Sequence, residues 1–231
     1  MRTSAIVVAG GSGTRMKSGI RKQYLSLSGR PVLSHTLQAF DACPAVDRMI
    51  LVVPEGDMAF CRDSVLAPSG LQKPVRLVSG GKERQESVYN GLLAARGEAD
   101  IVAIHDGVRP FVSSDQIAET VRLASETGAC MLGIPASDTL KQVDGDGNVR
   151  QTLDRKTVWL AQTPQTFRYD LILTAHESAR RGGYSGTDDA SLAERMGVAV
   201  RVIPGSRLNI KLTTPEDLVL AEAVIGARLA F

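Results

Sequence analysis

"AIVVAGGSGTRMKSGIRKQY", residues 5–24, decides the fold. Its first five residues read as a buried strand, and a glycine-rich loop follows at once. Residues 9–24 hold four glycines and four cations without a carboxylate. Glycine has no Cβ and reaches positive φ, so backbone N–H groups can come close to phosphate oxygens. Two familiar phosphate loops are excluded by spacing. A Walker A loop needs Gly directly before Lys-Ser/Thr, whereas Lys17-Ser18 follow Met16. A dinucleotide fingerprint begun at Gly11 meets Met16 at its third glycine position. What survives is a strand, a glycine loop, and Arg15 and Lys22 seven residues apart. The absence of carboxylates favours an anion site over the alternative, a tight strand-to-helix turn with solvated cations.

The same strand pattern recurs outward from this stretch, in "MILVVP" (49–54), "PVRLVSG" (74–80) and "DIVAIHD" (100–106). Helical spacing of apolar residues marks 31–40, opened by a first-turn Pro31, then 83–96, 114–126 and 213–231. In the last, Thr214, Pro215 and Asp217 form an N-cap and capping-box set, and Leu218, Ala221, Ile225 and Leu229 form the buried stripe. Strands alternating with helices predict an α/β domain with a mostly parallel sheet and helices on both faces, running as one domain over residues 1–231. One segment breaks the alternation. Residues 137–155 flank the turn-rich "DGDGN" with short polar strands and read as a β-hairpin arm. An isolated hairpin is marginal in water, so it leans either on its own domain or on a second subunit.

Composition narrows the partners. The 27 Lys and Arg against 25 Asp and Glu leave a net charge of only +2, and aromatics are 4%, which argues against a nucleic-acid coat. Apolar runs are too short for a membrane span or a signal-peptide core, so a cytoplasmic protein is expected. Cys43, Cys61 and Cys130 are odd in number and widely spaced, which speaks for buried thiols rather than a disulfide framework or zinc site. The charge is unevenly spread. Through residue 40 the basic residues are Arg2, Arg15, Lys17, Arg21, Lys22 and Arg30, and the first acidic residue is Asp41. A small polyanion suits such an end.

Other strand ends add candidates. Asp106, Gly107 and Arg109 follow the strand at 100–106, where open α/β sheets place ligands. Asp106 could hold a metal, accept from a hydroxyl, or cap a turn. Lys211 alternates with Ile210 and Leu212 in an extended "NIKL". Gly80 and Gly81 form a loop ahead of Ser87 in the next helix. His35, His105 and His176 form no pattern with a nucleophile or with each other, and no role is assigned to them.

Taken together, "AGGSGTRM…KQYL…GRPVL", "SGGKERQESV", "HDGVRP", "SDTLK", "TPQTF", "TDDAS" and "NIKLTTPEDL" resemble the methylerythritol phosphate cytidylyltransferases of the non-mevalonate isoprenoid pathway. The match runs in order from about residue 5 to 222. The resemblance implies a Rossmann-like nucleotidyltransferase fold with the 137–155 arm reaching across a homodimer. It implies joining CTP and 2-C-methyl-D-erythritol 4-phosphate with release of pyrophosphate and use of Mg²⁺. Arg15 and Lys22 match the family's transition-state stabilisers, and Arg155 and Lys211 its positioners of the substrate phosphate. Asp106, Arg109, Thr139, Thr163 and Thr187 match looser substrate contacts. Ala9, Gly10, Gly11, Gly13, Gly80, Gly81, Ser87 and Gly107 fall where the family holds the nucleotide. Asp106 is the one metal candidate, Mg²⁺ being held mainly by CTP phosphates. Gly10, Arg21, Lys82 and Gly107 depart from the residues common at those positions.

The chemistry agrees with these residue types. A phosphate monoester with a second pKa near ~6 is mostly dianionic at neutral pH, so it attacks without a general base. Charge neutralisation and in-line placement remain as the catalytic task. Alternatives on the same pattern are a ribitol 5-phosphate cytidylyltransferase, a nucleotidyltransferase using UTP or another base, and a catalytically silent nucleotide-binding module.

Overall fold

The computed structural model describes residues 1–10 and 21–229, the last two of these by backbone alone. Strand β1 (Thr3–Val8) sets the architecture through its alternation. Ala5 and Val7 enter one buried cluster and Ile6 the other, so each face of this strand carries its own helical layer. A small hairpin, β2 (Ser26–Leu27) and β3 (Arg30–Pro31), leads into helix α1 (Val32–Asp41) and strand β4 (Arg48–Val53). Pro31 stands in β3 just ahead of the helix with ψ 140°, not in the first turn as its position suggested. A single turn, α2 (Met58–Phe60), continues as a π-helical stretch and precedes β5 (Val75–Ser79). Next come α3 (Arg84–Ala94), β6 (Ile101–Asp106), α4 (Ser114–Thr127) and β7 (Ala129–Pro135).

Strands β8 (Lys141–Val143) and β9 (Val149–Thr152) pair antiparallel as a separate hairpin, and every residue of both is exposed. Its turn is made by Asp144, whose Oδ1 accepts from the N–H groups of Asp146 and Asn148 at 3.1 and 2.9 Å. The chain then forms β10 (Trp159–Arg168), α5 (Tyr169–Arg181), α6 (Asp189–Arg195), β11 (Arg201–Pro204) and α7 (Pro215–Leu229). Seven strands make one sheet in the order β11-β7-β10-β6-β1-β4-β5. Only β10 runs antiparallel to its neighbours.

Helices α1 and α4 cover one face with Leu33, Leu37, Phe40, Ile117 and Ala124. Helices α3, α5 and α6 cover the other with Val88, Leu92, Ile172, Ala175 and Leu192. Each fully buried large apolar side chain contributes about 1.5–3 kcal/mol. Cys43, Cys61 and Cys130 are buried free thiols. A third, smaller cluster joins Leu27 and Val32 to Val108, Leu212 and Ala221 of α7, with Leu218 and Ile225 half-buried beside them. Asp217 Oδ2 accepts from the N–H groups of Thr213 and Thr214 at 2.7 and 2.9 Å, which fixes the start of α7. Residues 209–213 lie outside the sheets, contrary to the strand expected there, and Leu212 N donates once to Val108 O. The alternation nevertheless holds, with Leu212 buried and Lys211 half-exposed.

Candidate active site

From β1 the chain moves to β4 and then β5, and only afterwards places β6 on the opposite side of β1. The loops leaving β1 and β6 therefore part in opposite directions, and a crevice opens at the carboxyl ends of the strands. There a cleft of about 370 Å³ is lined by Ala9, Gly10, Lys22, Gly81, Arg84, Ser87, Asp106 and Lys211, among others. Residues from both ends of the chain meet in it.

Asp106 ends β6 and is 6% exposed. Its carboxylate meets three cations, Lys211 Nζ at 2.9 Å, Arg84 Nε at 3.2 Å and Arg109 Nε at 3.4 Å. Burial by itself would raise its pKa, but Arg84, then Lys211 and Arg109, outweigh burial and hold it well below the usual carboxylate range. Arg109 is in turn oriented by a 2.8 Å bond from Nη1 to Asn209 O. Arg84 extends the network, its Nη1 lying 2.8 Å from Asp189 Oδ2 while Asp189 Oδ1 lies 3.1 Å from His176 Nε2.

Thr163 reaches this centre through a bulge. Strand β10 takes four residue steps from Ala161 to Gln165 while β7 takes two from Gly133 to Met131, and the surplus lifts Thr163 out of the ladder. Its hydroxyl accepts from Asp106 N at 3.1 Å and lies 3.0 Å from His105 Nδ1. His105 Nε2 donates to Arg109 O at 3.0 Å. Full burial lowers the His105 pKa to about 4, so the ring is neutral at pH 7. With its proton on Nε2, Nδ1 accepts from Thr163, and the chain from Asp106 N–H to Arg109 C=O has one direction.

The loop after β5 is shaped by Ser87. Its hydroxyl donates to Glu83 O at 3.0 Å and accepts from Gly81 N at 3.1 Å. A Cβ on Gly80 would stand 2.9 Å from that oxygen, so this loop position takes glycine. The backbone beyond β1 is tied to the turn at Lys22–Tyr24 by Gln23, whose Nε2 donates to Ala9 O at 2.7 Å. Arg21, where the family pattern often has proline, pairs with Asp57 at 3.0 Å. Gly107 sits where an added Cβ would come within 3.0 Å of Ala9 Cβ and 3.1 Å of Leu33 Cδ1.

Arg155 and Thr139 lie at the base of the hairpin, exposed and away from the cleft, with Arg155 Nη1 donating to Ser137 O at 2.5 Å. Thr187 is exposed in the loop before α6. Gly11, Gly13 and Arg15 fall outside the described residues. As a metal ligand Asp106 fits poorly, because both its oxygens already face cations, and among the described residues no cluster of three metal-ligating side chains occurs.

A family model described as IspD, 2-C-methyl-D-erythritol 4-phosphate cytidylyltransferase, matches residues 3–227. The chain belongs to this family. A cytidylyltransferase of that name from Syntrophus aciditrophicus is 51% identical over 221 residues, covering 96% of this chain and 94% of the relative. A Geobacillus kaustophilus cytidylyltransferase is 47% identical, with the whole of both chains covered. The crystal structure of the Anaerococcus prevotii synthase of 4-diphosphocytidyl-2C-methyl-D-erythritol superposes with a TM-score of 0.86 at 33% identity, over 97% of this chain and 96% of that one. Against this cytidylyltransferase background, the residues that the sequence reading passed over are Arg84, Asp189, Gln23 and the two histidines His105 and His176. Arg84 had one available signal, its place as a cation at the start of the helix after the Gly80–Gly81 loop. The partners of the others lie up to 105 residues away in sequence, as Arg84 and Asp189 do.

Proposed function

We propose that this chain is a cytidylyltransferase that joins CTP to 2-C-methyl-D-erythritol 4-phosphate, giving 4-diphosphocytidyl-2-C-methyl-D-erythritol and pyrophosphate. A phosphate oxygen of the polyol substrate attacks the α-phosphorus of CTP, and the bond to the departing pyrophosphate breaks. The observation that carries this reading is the meeting of Lys22 and Lys211, from opposite ends of a family member, in one cleft beside Asp106. Lys22, with Arg15, stabilises charge developing at the α-phosphate. Lys211 and Arg109 receive the polyol phosphate. Each cation of fixed geometry contributes a few kcal/mol, on the order of 10²–10³ in rate if oxyanion donors are a guide. Gly10, Gly80, Gly81 and Gly107 bring backbone close to the nucleotide, as do Ala9, Gly11 and Gly13. Ser87 acts by shaping the loop on which the base rests, a reading its two backbone bonds support.

Mg²⁺ enters as the counter-ion of CTP, held by its phosphates; the cation-bound state of Asp106 supports this over a ligand set supplied by the chain. The hairpin is read as a dimer arm carrying Arg155 and Thr139 to a partner's site, with Thr187 completing the polyol contacts and Thr163, its hydroxyl engaged by Asp106 N and His105 Nδ1, supporting Asp106 from behind. Val143 and Val149 at 52% and 59% exposure support an apolar contact there. One sheet spanning β1 to β11 supports a single domain. Phosphorylated substrates and buried free thiols support a cytoplasmic setting; no described helix is long and apolar enough to cross a membrane.

The deciding assay is pyrophosphate release from CTP with methylerythritol phosphate and with ribitol 5-phosphate in parallel. A faster reaction with ribitol 5-phosphate overturns the acceptor; a faster reaction with UTP overturns the nucleotide. For the arm, mixing Arg15→Ala and Arg155→Ala subunits restores activity when Arg155 serves its partner. Silence in a verified mixed dimer returns Arg155 to its own subunit.

A further inference from the structure

Arg84 lies in none of the roles drawn from sequence, yet its guanidinium touches both Asp106, which lines the cleft, and Asp189, which does not. Nε lies 3.2 Å from Asp106 Oδ1 and Nη1 lies 2.8 Å from Asp189 Oδ2. The two carboxylates are nearly closed to solvent, at 9% and 1% side-chain exposure. They come from different parts of the fold, since Asp106 ends β6, Asp189 opens α6, and Arg84 opens α3. Asp189 cannot drift, because His176 of α5 holds its other oxygen at 3.1 Å. A planar fork held at one prong by a fixed carboxylate fixes the direction of the other prong.

The consequence falls on Asp106. With Oδ1 taken by Arg84, Oδ2 is left facing Lys211 Nζ at 2.9 Å and Arg109 Nε at 3.4 Å. A lysine ammonium on its flexible four-carbon stem goes where its counter-ion sits. We propose that Arg84 is a positioning residue for the phosphate substrate, fixing Asp106 against Asp189 so that Lys211 is aimed into the cleft with Arg109 held beside it. This rests on the reading of Lys211 and Arg109 as receivers of the polyol phosphate. Arg84 acts through other side chains, and a lysine in its place keeps the charge but cannot hold two separate carboxylates in one plane.

The test uses the full-length protein carrying Arg84→Lys, with Arg84→Gln as the more severe variant. Steady-state kinetics are measured with CTP and methylerythritol phosphate, CTP affinity by calorimetry, and folding by thermal denaturation. The expected result is a rise of about tenfold or more in KM for the polyol phosphate, as misplacement of a positioning group produces, while the Kd for CTP stays within about twofold. An equal loss of CTP affinity overturns the proposal by making Arg84 a direct nucleotide contact. Lower thermal stability with both kinetic constants unchanged overturns it by making the bridge purely structural. A substrate-free readout separates this from the functional reading: in crystals of unliganded Arg84→Lys, the Asp106 carboxylate is expected turned from its parent orientation, with Lys211 Nζ displaced along with it. A carboxylate and an ammonium left in their parent positions overturn the positioning role even if the enzyme proves to use another acceptor.

Discussion

Replacing Asp106 with asparagine keeps the shape of the side chain and removes the anion on which three cations converge. At about 3 Å and an effective dielectric near 20, each contact is worth roughly 5 kcal/mol of gross Coulomb energy, opposed by desolvation of the buried ions. Removing one member of such a buried group costs about 3–5 kcal/mol net. Asparagine retains an acceptor oxygen, so the lower end applies. For a chain of 231 residues, ~3 kcal/mol corresponds to ~6–12 °C in Tm. The effect has a pH signature with a definite sign. The folded pKa of Asp106 is depressed, so its contribution is fully present above its unfolded value of 3.8 and is lost as pH falls through the folded one. The stability deficit of Asp106→Asn should therefore be constant from pH 8 to 5 and shrink by about 1 kcal/mol by pH 3. Urea unfolding of both proteins at pH 7, 5 and 3 measures it. Inorganic phosphate should also raise the Tm of the variant more than that of the parent, because Lys211 and Arg109 lose their carboxylate while Arg84 keeps Asp189. A variant as stable as the parent at pH 7, or one whose deficit does not change with pH, refutes the ion-network account.

Thr163→Val removes the acceptor for Asp106 N and the donor to His105 Nδ1, and should cost about 1–3 kcal/mol, with Thr163→Ser close to wild type in thermal unfolding. Val149→Lys on the exposed hairpin tests the proposed dimer arm: it should leave monomer stability within about 0.5 kcal/mol while shifting light-scattering mass toward the monomer, and an unshifted mass refutes the arm as the interface. Gly80→Ala drives a methyl to 2.9 Å from Ser87 Oγ and should raise KM for CTP, and adding Ser87→Ala should relieve the clash but not restore the loop's hydrogen bonds.

Much of the sheet could be read from periodicity. β1, β4, β5 and β6 are short apolar runs with abrupt polar ends, and the structure starts and stops them within two residues of the expected positions. Strand β10 was harder to see, because "TPQTF" carries a proline and a bulge that interrupt alternation. The segment around Lys211 alternates like a strand but pairs with no strand among the described residues, Leu212 N bonding once to Val108 O, so periodicity gave the right faces and the wrong element. Ser87 was legible as a serine in the helix after a glycine loop; that its hydroxyl bridges Glu83 and Gly81 was not.

What residue order determined by itself was the set of cations, the glycine loop and the alternation that makes a two-faced sheet, because these depend on local chemistry and on the geometry of one strand or one turn. Which charges become partners was decided by the tertiary structure. Arg84, Asp106, Asp189 and Lys211 are spread over more than half the chain, and only the crossing from β5 back to β6 beside β1 brings them within bonding distance. Burial there strengthens each attraction and penalises any charge left alone, which is how distant residues come to hold one another's positions.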